Sequence, residues 1–541
     1  MSKRSWLRTA FIIAFSLLAG VVGGYIASQY SGQQQLVRLL RIQQLSNNKL
    51  SSTLSLIDQY YIDSLSQETI VEEMMPLLVG RLDPHTTYIP AKDLNEVNES
   101  LDGEFEGIGI VFNMATDTVI ILNVIATGPS DKAGLLARDR IITINDSLMA
   151  GCKVRQDSIV RQLKGPRGTV VKLGIERSGV DELIEVEVTR DKVAIHSITA
   201  TVMLTDKTGY INISQFARTT HEELMKATKQ LYDEGMESLI LDLRGNPGGY
   251  LDQAIKLSNE FLPKNTLIVY TEDKTGKQER IYSQYNGSLQ SLDVVVLIDE
   301  TSASSSEILA GALQDNDHGT IIGRRSYGKG LIQRQIPFRD GSALRLTTAA
   351  YYTPTGRSIQ KPFERGEGDA YERDLLNRLE HNELYTADSI MFVDSLRKVT
   401  PKGKVVYGGG GIMPDIFVPV PTDTLPQLFI DVVRRNILYN YTIKYSDRNR
   451  SELAKVKTTA DLAAMFERDD RLVDDFVTYV KQQEIEVKAS ELEESRELIE
   501  TQLRAYIGRN TSLSENGFYI NIYPLDDAIM AAIDHLNPEK E

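Results

Sequence analysis

Two nearly uninterrupted apolar segments constrain the fold of this chain more than any other feature. Residues 239–243 lead into a glycine-rich turn, and residues 293–298 lead into a serine-rich turn. Apolar runs of this length are typical of strands buried on both faces of a parallel sheet. Strand and helix patterns alternate across residues 208–335. This alternation predicts an α/β core in which helices cover a largely parallel sheet.

The chain of 541 residues is too long for one hydrophobic core, since domains usually contain about 100–200 residues. Its patterns divide it into a membrane anchor, a helical region, a β-rich domain, the α/β core and a helical extension. We place these predicted parts at residues 1–30, 31–100, 101–193, 194–421 and 422–541, with a charged, partly helical excursion at 363–402 within the core.

The first thirty residues predict the compartment. Lys3, Arg4 and Arg8 precede the uncharged run 9–28, and a helix of roughly 20 apolar residues spans a bilayer. Positive charges before a span keep the N-terminus in the cytoplasm. A cleaved signal peptide is the alternative, but the run is long and the small-residue site at 27–28 is poor. We therefore expect one transmembrane helix in the cytoplasmic (inner) membrane and the other domains in the periplasm, an extracytoplasmic space.

Composition argues against several classes of site. The net charge of −15 disfavours nucleic-acid binding, which needs a basic surface to displace counterions from phosphates. The single cysteine, Cys152, cannot form an internal disulfide or a cysteine-based zinc site. None of the six histidines forms an HxxxH or HExxH pair, so no metal site is predicted.

A serine-rich turn, residues 301–307, lies between the second apolar strand and the next helix. A nucleophile at a strand end is held firmly, and the N–H groups of the following helix point toward developing negative charge. Serines are also common N-caps, so this turn alone does not identify a nucleophile.

One lysine, Lys329, lies between two glycines after a predicted strand at 320–322. Glycines allow close backbone approach, and a lysine can act as a general base where burial or neighbouring charge lowers its pKa. An ordinary surface turn is the alternative. A phosphate loop is disfavoured, because Gly330 follows Lys329 where GxxxxGKS/T requires serine or threonine.

Together, the two segments resemble the carboxyl-terminal processing peptidases, also called tail-specific proteases. Residues 302–314 match the family's Ser-Ala-Ser-Ala-Ser-Glu signature, with Ser305 in place of the second alanine. Lys329 and Gln333 follow at the family's spacing. The resemblance implies that Ser304 is the nucleophile, that Lys329 is the general base and that Gln333 orients the lysine.

Four further segments match family motifs in the same order, and the similarity covers about residues 50–420. These segments are 82–88, 103–109, 243–249 and 407–415. The resemblance implies a crotonase/ClpP-like α/β core with an inserted PDZ domain. Retinoid-binding and tricorn-type relatives share parts of this core, but the PDZ position and Lys329 favour the processing peptidases.

The family's chemistry implies a serine endopeptidase that cleaves extracytoplasmic proteins near or from their C-termini through an acyl-enzyme. The oxyanion is expected to bind the Ser305 N–H and one amide from the turn containing Gly248 and Gly249. The resemblance leaves open which glycine donates. No cofactor is implied.

The predicted PDZ domain would bind protein or peptide substrates by their C-terminal tails. Gly107, Ile108, Gly109 and Ile110 would form its carboxylate-binding loop, while the peptide adds a β-strand. The alternative is that these residues only begin a strand. The sequence does not show whether the PDZ domain activates or inhibits.

A non-catalytic PDZ scaffold on a protease-like core is the alternative function. Loss of Ser304 or Lys329 would favour it, and both residues are present. Residues 363–402 and 422–541 are predicted as solvated structural faces or as surfaces for a homo-oligomer or an adaptor protein.

Overall fold

The computed structural model describes residues 17, 18, 20–22, 49–114, 117–422, 425–469 and 471–538. The predicted anchor, residues 1–30, therefore lies outside the described residues except at five positions. In the part of the chain that is described, no helix is long and apolar enough to cross a membrane.

The described chain divides at Leu82 into a small N-terminal unit and a larger unit. The N-terminal unit contains helices α1 (Lys49–Tyr60) and α2 (Gln67–Val79). Helix α2 begins after Ser66, whose hydroxyl accepts the Thr69 N–H, and it ends at Gly80. Both helices lie within the predicted helical region.

The larger unit opens with one strand, one helix and a β-rich region. These elements are β1 (Thr87–Ile89), α3 (Leu94–Asp102), β2 (Glu104–Gly107), β3 (Ile110–Asn113), β4 (Val119–Val124), α4 (Pro129–Lys132), β5 (Arg140–Ile144), β6 (Ser147–Leu148), α5 (Gln156–Leu163), β7 (Val170–Glu176), β8 (Ile184–Thr189) and β9 (Asp191–Ala194). The main sheet has the order β3-β4-β5-β7-β8, with β6 beside β5, and β2 pairs with β9. Strand β3 is therefore an edge strand, beside a buried core that includes Ile121, Ile141 and Ile159.

The α/β core follows. Its elements are β10 (Ile198–Met203), β11 (Thr208–Ile213), α6 (Thr220–Asp233), β12 (Ser238–Asp242), α7 (Leu251–Phe261), β13 (Leu267–Asp273), β14 (Gln278–Tyr282), β15 (Asp293–Ile298), α8 (Ser305–Asp315), β16 (Thr320–Gly323), β17 (Leu331–Pro337), β18 (Ala343–Tyr352), α9 (Gly368–Glu372), α10 (Asp374–Glu380), β19 (Arg397–Val399), β20 (Val405–Tyr407) and β21 (Ile416–Phe417). The central sheet has the order β10-β11-β12-β15-β16-β21. Its strands from β11 to β21 are parallel and β10 is antiparallel, which confirms the predicted α/β core.

A second, antiparallel sheet was not predicted from the sequence. It has the order β1-β18-β13-β14, and β17 pairs with β18. Strand β1 lies between Pro84 and Pro90, and its Tyr88 pairs with Leu344 of β18. Pairing with β18, a strand far away in the sequence, overrides the turn tendency of the two flanking prolines.

The C-terminal extension is helical, as predicted. It contains α11 (Gln427–Arg434), α12 (Ile437–Arg448), α13 (Arg450–Leu453), α14 (Thr459–Arg468), α15 (Leu472–Gln482), α16 (Ala489–Arg509), α17 (Glu515–Ile522) and α18 (Asp527–Leu536). Helices α11 to α16 share a buried core that includes Val432, Phe476 and Leu503. Helix α18 instead packs on the central sheet, where Ile529 joins a cluster with Ile240.

Candidate active site

Two neighbouring parallel strands bring the glycine turn and the serine turn together. Asp242 at the end of β12 lies opposite Leu297 near the end of β15. The two turns that follow therefore meet at the carboxyl edge of the sheet, where open α/β sheets commonly bind ligands. A Cβ on Gly248 would lie 2.8 Å from the Cβ of Ser304, so only glycine allows this close approach.

The structure distinguishes among the serines of the second turn. The hydroxyls of Ser302, Ser305 and Ser306 donate to backbone carbonyls of residues 243–249 at 2.8–3.0 Å. Ser304 is partly exposed and has φ 56° and ψ −111°. Such a conformation is strained for a residue with a side chain, and it is how a strand–turn–helix elbow presents a nucleophile. Ser304 is therefore the serine that this turn presents.

The buried carboxylate of Glu307 connects Ser304 to Lys329. Its Oε2 accepts the Ser304 N–H at 2.8 Å and the Lys329 N–H at 2.9 Å. Its Oε1 accepts the Gly328 N–H at 2.7 Å and the Ser326 hydroxyl at 2.6 Å. Burial raises the pKa of Glu307, and the four hydrogen bonds oppose that rise. One carboxylate thus sets the spacing between the two predicted catalytic residues.

Tyr351 joins the same two residues through their carbonyl groups. Its buried hydroxyl donates to the Lys329 carbonyl oxygen at 2.6 Å and lies 3.1 Å from that of Ser304. A separate close approach requires glycine after Lys329, because a Cβ on Gly330 would lie 2.9 Å from the Gln360 backbone nitrogen. The sequence did not single out either Glu307 or Tyr351. For Glu307 the sequence gave one indication: it is the third residue of α8, where a glutamate can accept the backbone N–H of the N-cap residue.

The electrostatic surroundings of Lys329 suit a general base. Partial burial lowers the pKa of Lys329 below its ordinary value, and the positive charge of Arg345 acts in the same direction. Glu307 and Asp83 oppose the shift. Among the described residues, no hydrogen bond or ion pair to the Lys329 ammonium is found. A neutral Lys329 would therefore have its lone pair free to accept a proton.

Two residues of the segment before β1 also lie beside Lys329. Burial would raise the pKa of Asp83, but hydrogen bonds from Thr86, the His85 N–H and Thr347 outweigh it and hold the pKa below its ordinary value. Burial and the charge of Lys329 lower the pKa of His85 to about 4, so the imidazole is neutral near pH 7. Across the described ranges, no group of three or more His, Cys, Asp or Glu side chains is arranged to hold a metal ion.

Gln333, which is predicted to orient Lys329, is hydrogen-bonded to a threonine of the neighbouring strand. Its Nε2 donates to Thr347 Oγ1 at 3.2 Å, and that hydroxyl donates to Asp83 at 3.0 Å. Within the described chain, no hydrogen bond joins Gln333 to Lys329. Gln333 lies on β17 and faces Thr347 on the adjacent strand β18, so its side-chain amide binds that threonine.

The geometry distinguishes between the two glycines, Gly248 and Gly249, that could donate an N–H to the oxyanion. The Gly248 N–H already donates to Asn246 Oδ1 at 2.9 Å. In the described structure, the N–H groups of Gly249 and Ser305 have no hydrogen-bond acceptor. Gly249 has φ 147°, and a Cβ there would lie 2.2 Å from the Phe216 carbonyl oxygen, so glycine is required. These two free donors favour Gly249 over Gly248.

The predicted carboxylate-binding loop lies in the β-rich region, between β2 and β3. Gly109 has φ 75°, which L side chains rarely adopt, and among the described residues the Ile108 and Gly109 N–H groups have no acceptor. Gly107 ends β2, Ile110 begins β3, and a Cβ on Gly107 would lie 3.6 Å from Lys164 Cα at the end of α5. The loop thus borders both an open strand edge and a helix end.

Comparison with known proteins agrees with this architecture. Residues 207–366 match the family described as peptidase family S41, and residues 107–188 match the PDZ domain. Residues 428–511 match a family of unknown function, DUF8443.

Two curated relatives extend the match. The carboxy-terminal-processing protease of Bartonella bacilliformis (strain ATCC 35685 / KC583 / Herrer 020/F12,63) is 36% identical over 56% of this chain and 69% of its own length. The carboxy-terminal processing protease CtpB of Bacillus subtilis (strain 168) is 32% identical over 58% of this chain and 65% of its own. A photosystem II D1 C-terminal processing protease structure has 23% identity, covers 68% of this chain and 93% of its own, and gives a TM-score of 0.35. The chain therefore belongs to the carboxy-terminal processing proteases of peptidase family S41, which are serine hydrolases.

Proposed function

We propose that this chain is a serine endopeptidase with Ser304 as nucleophile and Lys329 as general base. The observation that carries the proposal is the Glu307 carboxylate, which binds the backbone N–H of both residues through one oxygen. The strained backbone of Ser304 and the lowered pKa of Lys329 support the same roles.

The chemistry follows from these positions. Neutral Lys329 takes the proton of the Ser304 hydroxyl while the oxygen attacks a peptide carbonyl carbon. The N–H groups of Ser305 and Gly249 stabilise the negative oxygen of the tetrahedral intermediate. Lys329 then returns the proton to the leaving amine, and an acyl-enzyme remains. Water then attacks the ester as Lys329 takes its proton. Lys329 passes this proton to the departing Ser304 oxygen, and the new C-terminus is released.

The tail of the substrate would bind at the PDZ domain. A C-terminal carboxylate would accept the free Ile108 and Gly109 N–H groups, and the peptide would pair with the open edge of β3. The substrates would then be protein chains with accessible C-terminal ends.

The place of action stays a proposal from the first thirty residues. Their charge pattern supports a membrane anchor with the protease outside the cytoplasm. A protease-accessibility assay on spheroplasts, with cytoplasmic and periplasmic marker proteins, tests this orientation.

Cleavage of an unfolded protein with an apolar C-terminal tag tests the dyad. Ser304→Ala and Lys329→Met should each reduce the single-turnover rate by at least about 10³-fold, because the two residues act as a unit. Lys277→Met, at an exposed site on the core, is the matched control and should retain the rate. Cleavage by Ser304→Ala at the unaltered rate would show that another nucleophile acts.

A further inference from the structure

The excursion, residues 363–402, has no part in the proposed chemistry, yet it contacts the loop that carries Lys329. This loop, residues 324–330, has no helix or strand. An irregular segment has substantial backbone freedom unless contacts restrict it. Glu307 binds the N–H groups of Gly328 and Lys329, and backbone hydrogen bonds with Ser302, Ile412 and Lys361 hold three residues of the loop.

Arg378, on helix α10 of the excursion, also restrains the loop. Its Nη1 donates to the Ser326 carbonyl oxygen at 2.8 Å and to that of Arg325 at 3.3 Å. Its Nη2 donates to the Tyr327 carbonyl oxygen at 3.2 Å. Arg378 is only 3% exposed, so this arginine is not part of a solvated charged face. Three successive carbonyl groups before Lys329 are thus bound by one guanidinium.

Tyr371 on α9 continues the same contact. Its hydroxyl lies 3.5 Å from the Gly328 carbonyl oxygen and 2.9 Å from the Nε2 of His85. Its ring meets Tyr327 edge-on at 6.0 Å, and the Lys361 ammonium lies 4.0 Å from both rings. An arginine from the loop, Arg325, also pairs with Glu383 of the excursion. Every residue from 325 to 328 is therefore bound by the excursion.

We propose that the excursion is the positioning element of the Lys329 loop, and that Arg378 and Tyr371 are its two positioning residues. The proposal rests on Lys329 being the general base. A displacement of about 1 Å in a reacting group can cost on the order of 10²-fold in rate, so restraint of this loop bears directly on turnover. Neither residue contacts the reacting atoms.

The test compares Arg378→Met, Arg378→Lys and Tyr371→Phe with Arg373→Met, a matched control at an exposed arginine of the same excursion. In Arg378→Met we expect kcat to fall about 10–100-fold while KM changes by less than about twofold, since misplacement of the base affects the reaction step. Arg378→Lys should recover part of kcat, and Tyr371→Phe should show a smaller loss.

The pH profile adds a readout that general destabilisation would not move. A loosened loop exposes Lys329 to water and raises its pKa, so the acidic limb of kcat moves to higher pH. The groups facing Lys329 are Arg345, Glu307, Asp83 and neutral His85, and all are retained in these variants.

Amide hydrogen exchange over residues 325–330 provides a readout independent of activity. Exchange in Arg378→Met should rise at least about tenfold above the control, as expected for a locally opened segment. Equal kcat, pH profile and exchange in Arg378→Met and Arg373→Met would overturn the proposal. If Arg378→Met does not fold, Tyr371→Phe decides by the same measures. If the unaltered chain cleaves no substrate, the proposed function fails, while the exchange result still decides the positioning role.

Discussion

At the scale of residues, Glu307 is the group on which the candidate site most depends. It is buried, it caps the strained turn at Ser304, and it accepts four hydrogen bonds from the two halves of the site. Removal of one acceptor would leave a buried N–H unpaired, at a cost of about 1–3 kcal/mol.

Glu307→Gln tests this role. The substituted NH2 group cannot accept the hydrogen bonds of the oxygen it replaces, so Ser304 and Lys329 would shift relative to each other. We expect kcat to fall by about 10²-fold with little change in KM. Steady-state cleavage assays measure both, with the exposed Glu279→Gln as control. A reduced KM with unchanged kcat would contradict the positioning role.

Arg345 provides a test of the base through pH. Lys329 must be neutral to accept a proton, so kcat should rise with pH through the pKa of Lys329. Burial and Arg345 both lower that pKa. In Arg345→Met the pKa rises, so the acidic limb of the kcat profile should move to higher pH, with equal rates on the alkaline plateau. Arg334→Met, at an exposed position of β17, should leave the limb in place. A limb that moves to lower pH would disprove this assignment of the base.

At the scale of elements, helix α18 has a structural role that its position at the chain end does not suggest. It covers the face of the central sheet opposite to helices α6, α7 and α8. Just before it, Asp526 pairs with Arg244 at 2.9 Å, and Arg244 immediately precedes the glycine turn. The last helix of the C-terminal extension is thus packed on the α/β core.

Ile529→Ala tests this packing. Ile529 is fully buried, and such a truncation usually destabilises by about 2–5 kcal/mol because it removes transfer energy and leaves a cavity. We expect a clear fall in the urea unfolding midpoint of the unit that contains the central sheet. The exposed Asp534→Ala on the same helix should leave the midpoint unchanged. Equal midpoints for the two variants would show that α18 contributes little.

At the scale of the whole molecule, the PDZ region is connected to both neighbouring parts of the larger unit. Asp102, at the end of α3, accepts the Tyr250 hydroxyl and an Arg218 N–H, both at 2.8 Å. Tyr250 directly follows the glycine turn of the site. On another side, Arg140 of β5 pairs with Asp447 of α12 at 2.6 Å. The proposed tail site and the proposed dyad therefore lie in one connected structure.

Peptides that differ only at their C-terminus test the tail site. A free carboxylate would accept charge-assisted hydrogen bonds from the Ile108 and Gly109 N–H groups, whereas an amide would not. We expect amidation to raise the dissociation constant about 10–100-fold, matching about 1.5–3 kcal/mol for hydrogen bonds to a charged group. Fluorescence anisotropy with the Ser304→Ala chain measures binding without cleavage. Equal affinity for both peptides would exclude recognition of the carboxylate.

The sequence by itself determined the parts of the protein that depend on local patterns. Continuous apolar runs predicted the buried strands β12 and β15, because a strand covered on both faces needs no polar alternation. The small residues after each strand predicted the turns, and the resemblance to the processing peptidases pointed to Ser304 and Lys329 as the proposed dyad. Helical periodicity also predicted the helical extension.

Only the tertiary structure decided which groups support that site, because those groups come from distant segments. Tyr351, His85 and Tyr371 lie in three separate segments of the chain, and no spacing rule relates them to Lys329. Gln333 followed the family spacing, yet its strand partner Thr347 binds its amide. The choice of Gly249 over Gly248 likewise depended on one hydrogen bond from Asn246. Periodicity reports which face of an element is buried, whereas the identity of its partner is set by packing between elements.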